Sequence, residues 1–129
     1  MRNLKPLSLS ALVLALVLAL GLSLPGVAFA HALLVKAVPA VGGRVASSPA
    51  EIRITYSEAV EARFSGIELK GANGDAIATG PASIDPKDRG TLVVPVKAAL
   101  PPGSYKVNWH VVSVDTHKTQ GSFTFEVKP

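Results

Sequence analysis

The chain has 129 residues, a formal net charge of +4 and no cysteine. Its basic residues are scattered singly, without interleaved aromatic side chains, which argues against a nucleic-acid-binding surface. The lack of cysteine excludes disulfide bonds, thiolate metal ligands and a lipid-modified cysteine after the apolar N-terminal run.

The first 30 residues have the organisation of a secretory signal. Arg2 and Lys5 precede an apolar run, which ends in the small-residue pattern Ala28-Phe29-Ala30. This pattern predicts cleavage after Ala30, with residues 1–30 as signal peptide and residues 31–129 as one periplasmic or otherwise extracytoplasmic domain. The alternative is an uncleaved membrane anchor, because the uncharged run is long enough to span a bilayer.

Removal of the signal changes the composition of the working protein. Arg2 and Lys5 leave with it, so 11 basic residues face 9 acidic ones and the net charge falls to +2. The single methionine, Met1, is lost as well. No second long apolar run follows, so we expect no membrane insertion after cleavage.

The processed region shows strand patterns separated by turn signals. Glu51–Tyr56 alternates polar and apolar residues, as a half-buried strand does. Residues 67–69 continue the pattern, and the cluster at 71–75 is typical of a turn. A short apolar strand is predicted over 91–96, where Pro95 favours an edge position because proline donates no ladder hydrogen bond.

Two longer strands are predicted over residues 104–113 and 122–128, each with its large apolar side chains on one face. These inward-facing residues are Tyr105, Val107, Trp109 and Val111 in the first strand and Phe123, Phe125 and Val127 in the second. His110 falls on the opposite face, which favours an exposed strand histidine over a metal ligand. About seven short strands predict an all-β fold, an antiparallel Greek-key sandwich or barrel.

His31, Asp115 and His117 form the predicted metal site. Cleavage after Ala30 would leave His31 with a free α-amine beside its imidazole, and the two nitrogens can close a chelate ring. Asp115 and His117 are two residues apart, so their side chains share a face if the backbone is extended. Their segment lies between two predicted strands, however, and we expect a loop or bend. Three nitrogens and one oxygen suit Cu(II).

Other readings of these residues are open. An Asp-x-His pair is also typical of an ordinary solvated turn. Glu58 follows the strand Glu51–Tyr56, and we interpret it first as an exposed glutamate at the end of a strand. It is kept only as a candidate that would support the site from outside the ligand set. Trp109 is interpreted as a core residue close enough to report on bound copper.

Four segments carry a resemblance to a known family, and one of them runs from Pro39-Ala40 to Ser48-Pro49. The other three are His31-Ala32-Leu33-Leu34, Thr55-Tyr56-Ser57-Glu58 and the stretch from Trp109 through His117 to Phe125. Together they resemble the CopC family of periplasmic copper-binding proteins, which are associated with copper resistance and uptake. The resemblance covers essentially all of residues 31–129.

The resemblance implies a cupredoxin-like or immunoglobulin-like β-sandwich with one Cu(II) site at His31, Asp115 and His117. It also implies a membrane copper transport protein of the CopD type as a partner. Some family members carry a methionine-rich segment that binds Cu(I). The processed chain has no methionine, so we expect no Cu(I) methionine site.

Three functions are compatible with these observations. The first is a non-enzymatic Cu(II) carrier or buffer in copper resistance or homeostasis, which we favour. The second is a metal-free adhesion or assembly module in which the histidines are incidental. The third is a histidine-brace copper monooxygenase; the small size, the few aromatic residues and a carboxylate in the position needed for oxygen argue against it.

Overall fold

The computed structural model describes Val13 and residues 31–129. The predicted signal, apart from Val13, therefore lies outside the described residues. Contacts divide the chain into two compact units, residues 1–30 and residues 31–129. In the described part, no helix is both long and apolar enough to cross a membrane.

Residues 31–129 form nine strands and a 3₁₀ turn at Ala62–Phe64. The strands are Leu34–Val38 (β1), Arg44–Val45 (β2), Glu51–Tyr56 (β3), Gly66–Gly71 (β4), Ala76–Ile77 (β5), Ser83–Asp85 (β6), Asp88–Pro95 (β7), Gly103–Val112 (β8) and Lys118–Val127 (β9). The sequence predicts about seven. Five of the nine strands are located by the sequence, and β1, β2, β5 and β6 are not. The β2 and β5 strands contain only two residues each, too few for an alternating pattern to reveal them.

The strands form two sheets that face each other across one core. One sheet has the order β1-β3-β7-β6 and the other the order β2-β9-β8-β4-β5. All pairings are antiparallel except that of β2 with β9, which is parallel. The chain passes repeatedly from one sheet to the other, so the predicted all-β sandwich is confirmed.

The core is built from the inward-facing apolar residues of both sheets. Ile52, Ile54, Leu92 and Val94 come from the first sheet, and Leu69, Val107, Val111, Phe123 and Phe125 come from the second. The alternation predicted for the two long strands is confirmed, because each of their inward-facing apolar residues is buried or packs against this core. Burial of this apolar surface is the main force that holds the two sheets together.

The predicted edge position of the proline-bearing strand is wrong. The β7 strand lies inside its sheet, paired with β3 on one side and β6 on the other. Pro95 is its last residue, opposite Glu51, and its carbonyl accepts a hydrogen bond of 2.8 Å from the Gly80 N–H. Because the strand ends at this residue, the absence of a proline N–H removes little of the hydrogen bonding between the strands.

Two glycines lie beside aromatic rings on β8. Gly121 is paired with Trp109, and a Cβ atom at Gly121 would stand 2.5 Å from the indole ring. Gly66 is paired with His110, where a Cβ atom would stand 2.7 Å from the imidazole. The missing side chains give each ring room to lie across the neighbouring strand.

Candidate metal centre

The segment just before β1 is held as an arm against the sandwich by a buried residue and three hydrogen bonds. Ala32 is fully buried. The Leu33 N–H donates to the Ser57 hydroxyl over 2.9 Å, and the Ser57 N–H donates to the Leu33 carbonyl over 2.8 Å. From the other sheet, the Thr119 hydroxyl donates to the Ala32 carbonyl over 2.9 Å. The position of His31 is therefore fixed by both sheets.

The segment between β8 and β9 is a turn, as the sequence predicts. The Ser113 N–H donates to the His117 carbonyl over 2.9 Å, and the Thr116 N–H donates to the Ser113 carbonyl over 2.8 Å. Thr116 adopts φ = 73°, in the left-handed region. The backbone is thus not extended, and a tight turn rather than a strand alternation brings Asp115 and His117 together.

The arm and the turn meet at their histidines. The imidazoles of His31 and His117 lie edge to face, with ring centroids 5.2 Å apart and planes inclined by 77°. Metal–nitrogen bonds are about 2.0 Å long, so two imidazoles on one ion have centroids roughly 4.5–6.4 Å apart, depending on the angle at the metal. The observed separation lies inside that interval.

Asp115 adds a carboxylate to the pair of histidines. Its Oδ1 atom lies 3.3 Å from Nδ1 of His117 and accepts a hydrogen bond from the Ser113 hydroxyl. The pKa of the Asp115 carboxyl is held below its ordinary value, mainly by that hydroxyl and then by the neighbouring imidazole, while partial desolvation opposes the shift. The carboxylate therefore stays ionised and supplies a negative charge for a cation.

Side chains alone do not complete a metal site. Across residues 31–129, no group of three or more His, Cys, Asp or Glu side chains is arranged to hold an ion. His31 is in contact with His117, and Asp115 is close to His117. Cleavage after Ala30 would add the α-amine of His31 as a further donor beside its imidazole.

Three further residues singled out in the sequence are His110, Trp109 and Glu58. His110 is exposed on the outer face of β8. Trp109 packs against the core, with its ring 5.2 Å from that of Tyr56. Both findings agree with the sequence prediction. Glu58 is half-buried, and its carboxylate makes no hydrogen bond or ion pair within the described residues.

Three hydroxyl residues that position the site were missed by the sequence prediction. Ser57 and Thr119 hold the arm, and Ser113 holds the turn. Serine is enriched in turns, where its hydroxyl can hydrogen-bond to the nearby backbone, so a role of Ser113 in this turn could have been predicted. Ser57 and Thr119 act on a segment far away in sequence, and no local pattern reveals them.

Fold and candidate site together define a class: small two-sheet β-sandwiches with paired histidines and an aspartate where an N-terminal arm meets the β8–β9 turn. The family model described as "CopC domain" matches residues 34–128. The chain therefore belongs to the CopC family.

Individual relatives agree with this assignment. Protein YobA of Escherichia coli strain K12 is 45% identical over 100 residues, which cover 78% of this chain and 81% of that protein. Copper resistance protein C of Pseudomonas syringae pv. tomato is 37% identical over 115 residues, or 85% and 90% of the two chains. The crystal structure of CopC from Methylosinus trichosporium OB3b superimposes with a TM-score of 0.71 at 29% identity, covering 77% of this chain and 95% of that one.

Proposed function

We propose that this protein is an exported, non-enzymatic copper carrier of copper resistance or homeostasis. In the proposal, cleavage after Ala30 produces a domain that binds one Cu(II) through the α-amine and imidazole of His31, the imidazole of His117 and the carboxylate of Asp115. The relative named Copper resistance protein C, 37% identical over most of its length, supports the link with copper resistance.

The approach of His31 to His117 is the observation that carries the proposal. His31 and His117 lie near opposite ends of the amino-acid sequence of the domain, yet their ring centroids are 5.2 Å apart. Neither residue needs this contact for the core, since His31 is exposed and His117 is only partly buried. A metal ion bound by both imidazoles would explain why these two side chains meet, although the core requires neither of them.

The donor types favour Cu(II) over Cu(I). Nitrogen and oxygen donors in a tetragonal arrangement suit Cu(II), whereas Cu(I) prefers thiolate or thioether sulfur. Residues 31–129 contain neither cysteine nor methionine. The protein would therefore hold copper in its oxidised form and pass it on, with a membrane copper transport protein of the CopD type as the proposed recipient.

A histidine series tests the proposal. The full chain is expressed with its own signal, and the exported protein is titrated with Cu(II), with its N-terminus checked by mass spectrometry. We expect one tight site in the native protein, a loss of at least about 100-fold in affinity in His117→Ala, and no change in the matched control His110→Ala. Weak binding by the native protein, or equal losses in both variants, would contradict the proposal.

A further inference from the structure

Ser113 occupies an unusual position beside the candidate site. It is fully buried, yet it carries no apolar surface that would explain its place in the core. Its hydroxyl donates to Asp115 Oδ1 and lies 3.2 Å from the His117 carbonyl, and it accepts the His117 N–H over 3.2 Å. One side chain thus contacts both residues of the turn that bear candidate ligands.

The turn is also fixed from outside. Ser113 forms a bridge with Val60, and the Val114 N–H donates to the Ala59 carbonyl over 3.1 Å. Within the turn, Thr116 adopts a positive φ that is unfavourable for a β-branched residue. Such a conformation persists only where the surroundings impose it, and it is concentrated at functional sites.

We infer that Ser113 is a positioning residue that holds Asp115 and His117 in their metal-binding arrangement before copper arrives. The inference rests on the proposed function and adds a specific role to it. Because Oδ1 of Asp115 already accepts the Ser113 hydroxyl, Oδ2 is the oxygen that would remain for a metal ion. Nδ1 of His117 is buried and lies 3.3 Å from Oδ1 of Asp115, so Nε2 is the nitrogen that would be offered to the ion.

A turn that is formed before copper binds gives a reason for the unfavourable backbone conformation at Thr116. A turn that formed only on metal binding would subtract its ordering free energy from the affinity. Because the hydrogen bonds of Ser113 order the turn during folding, this free energy is not subtracted from copper binding. Hydrogen bonds that orient metal ligands typically change affinity by about 10- to 100-fold when they are removed.

Hydrogen exchange of the metal-free exported protein tests the inference first. The amides of Thr116 and His117 donate to the Ser113 carbonyl and hydroxyl. We therefore expect both to exchange more slowly than the amides of the exposed residues Val41 and Ala72. Fast exchange of both amides would overturn the inference, because the turn would then be unformed before copper binds. This measurement needs no variant, so it remains decisive even if a Ser113 variant does not fold.

A pair of variants gives the second test. Ser113→Ala should lower Cu(II) affinity by about 10- to 100-fold and alter the electron paramagnetic resonance spectrum of the complex. The matched control is Thr91→Val, which removes another buried hydroxyl, one that hydrogen-bonds to Asp88 on the other sheet. It should lower stability and leave copper binding unchanged. Unaltered binding by Ser113→Ala, or equal losses in the two variants, would overturn the inference.

The two proposals fail in different ways. If the native protein binds no copper, the proposed function fails, whatever the exchange rates of the turn. If the native protein binds copper tightly and Ser113→Ala binds it equally well with an identical spectrum, only the role of Ser113 fails.

Discussion

The imidazole of His31 stands edge-on to that of His117, with ring centroids 5.2 Å apart. Both sheets are needed for this contact, because Ser57 at the end of β3 and Thr119 in β9 each hold the arm that carries His31. The candidate site therefore forms when the two sheets pack together, because hydroxyl groups on both sheets hold the arm that carries His31.

Loss of the Ser57 hydroxyl should weaken copper binding through the arm. Ser57→Ala removes the acceptor of the Leu33 N–H and the donor that lies 3.5 Å from the His31 carbonyl. We expect about a tenfold loss in Cu(II) affinity with a change in unfolding free energy below about 1 kcal/mol, since the serine is exposed. The control Ser104→Ala, at an exposed serine in β8, should change neither. Full affinity in Ser57→Ala would show that the arm is held without this hydroxyl.

Copper affinity should depend on pH through the α-amine. A reference α-amine has a pKa of roughly 7.7–8.0 and must lose its proton to bind a metal. Below that range the apparent dissociation constant should rise about tenfold per pH unit from the amine alone. A competition titration between pH 6 and pH 9 measures the slope. A flat profile across this interval would mean that the amine is not a ligand.

Acid should destabilise the fold partly through Asp85. The Lys87 N–H donates to this carboxylate over 2.9 Å, and with the Arg53 guanidinium it holds the pKa of Asp85 below its ordinary value. A carboxyl with a lowered native-state pKa contributes stability above its unfolded pKa, about 3.9, and loses it as the pH falls through the native-state value. Asp85→Asn should therefore be less stable at pH 7 and show a shallower loss of stability below about pH 4.

The control for this experiment is Glu68→Gln, which alters an exposed carboxylate on the other sheet. Urea unfolding of both variants and the native protein at several pH values gives the comparison. If Asp85→Asn and the native protein lose stability in parallel as the pH falls, the pKa of Asp85 is not lowered by folding.

Two tyrosines should respond oppositely to loss of their hydroxyls. The Tyr56 hydroxyl is buried without a hydrogen-bond partner among the described residues, and burial raises its pKa. The Tyr105 hydroxyl donates to the Pro101 carbonyl. Tyr105→Phe should cost about 1 kcal/mol of unfolding free energy, whereas Tyr56→Phe should be neutral or stabilising by up to about 1 kcal/mol. Urea unfolding followed by Trp109 fluorescence measures both, and a similar loss in the two variants would contradict this assignment.

The sequence contained enough information for the fold class and the two long strands. Alternation in residues 104–113 and 122–128 predicts the inner faces of β8 and β9 because both strands have one face in the core. It did not locate β1, β2, β5 or β6, and β2 and β5 have two residues each and therefore carry no period. Nor could it show that β7 lies inside its sheet, since strand order depends on contacts between distant segments.

The candidate site was predictable only in part. Donor chemistry points to His31, Asp115 and His117 from their types and from the predicted cleavage position. The turn conformation at Thr116 and the hydrogen bonds of Ser57 are tertiary features, so neither follows from local pattern. Glu58 and its proposed supporting role stay a prediction.

The central claim is that the α-amine of His31 is a copper ligand, and one measurement tests it directly. Cu(II) titrations compare the processed protein beginning at His31 with a form that carries one extra residue before His31. The extra residue converts the amine into an amide and leaves every side chain in place. We predict one tight site in the first form and at least about 100-fold weaker binding in the second, which corresponds to about 2.7 kcal/mol. Equal affinity in the two forms would contradict the N-terminal chelate.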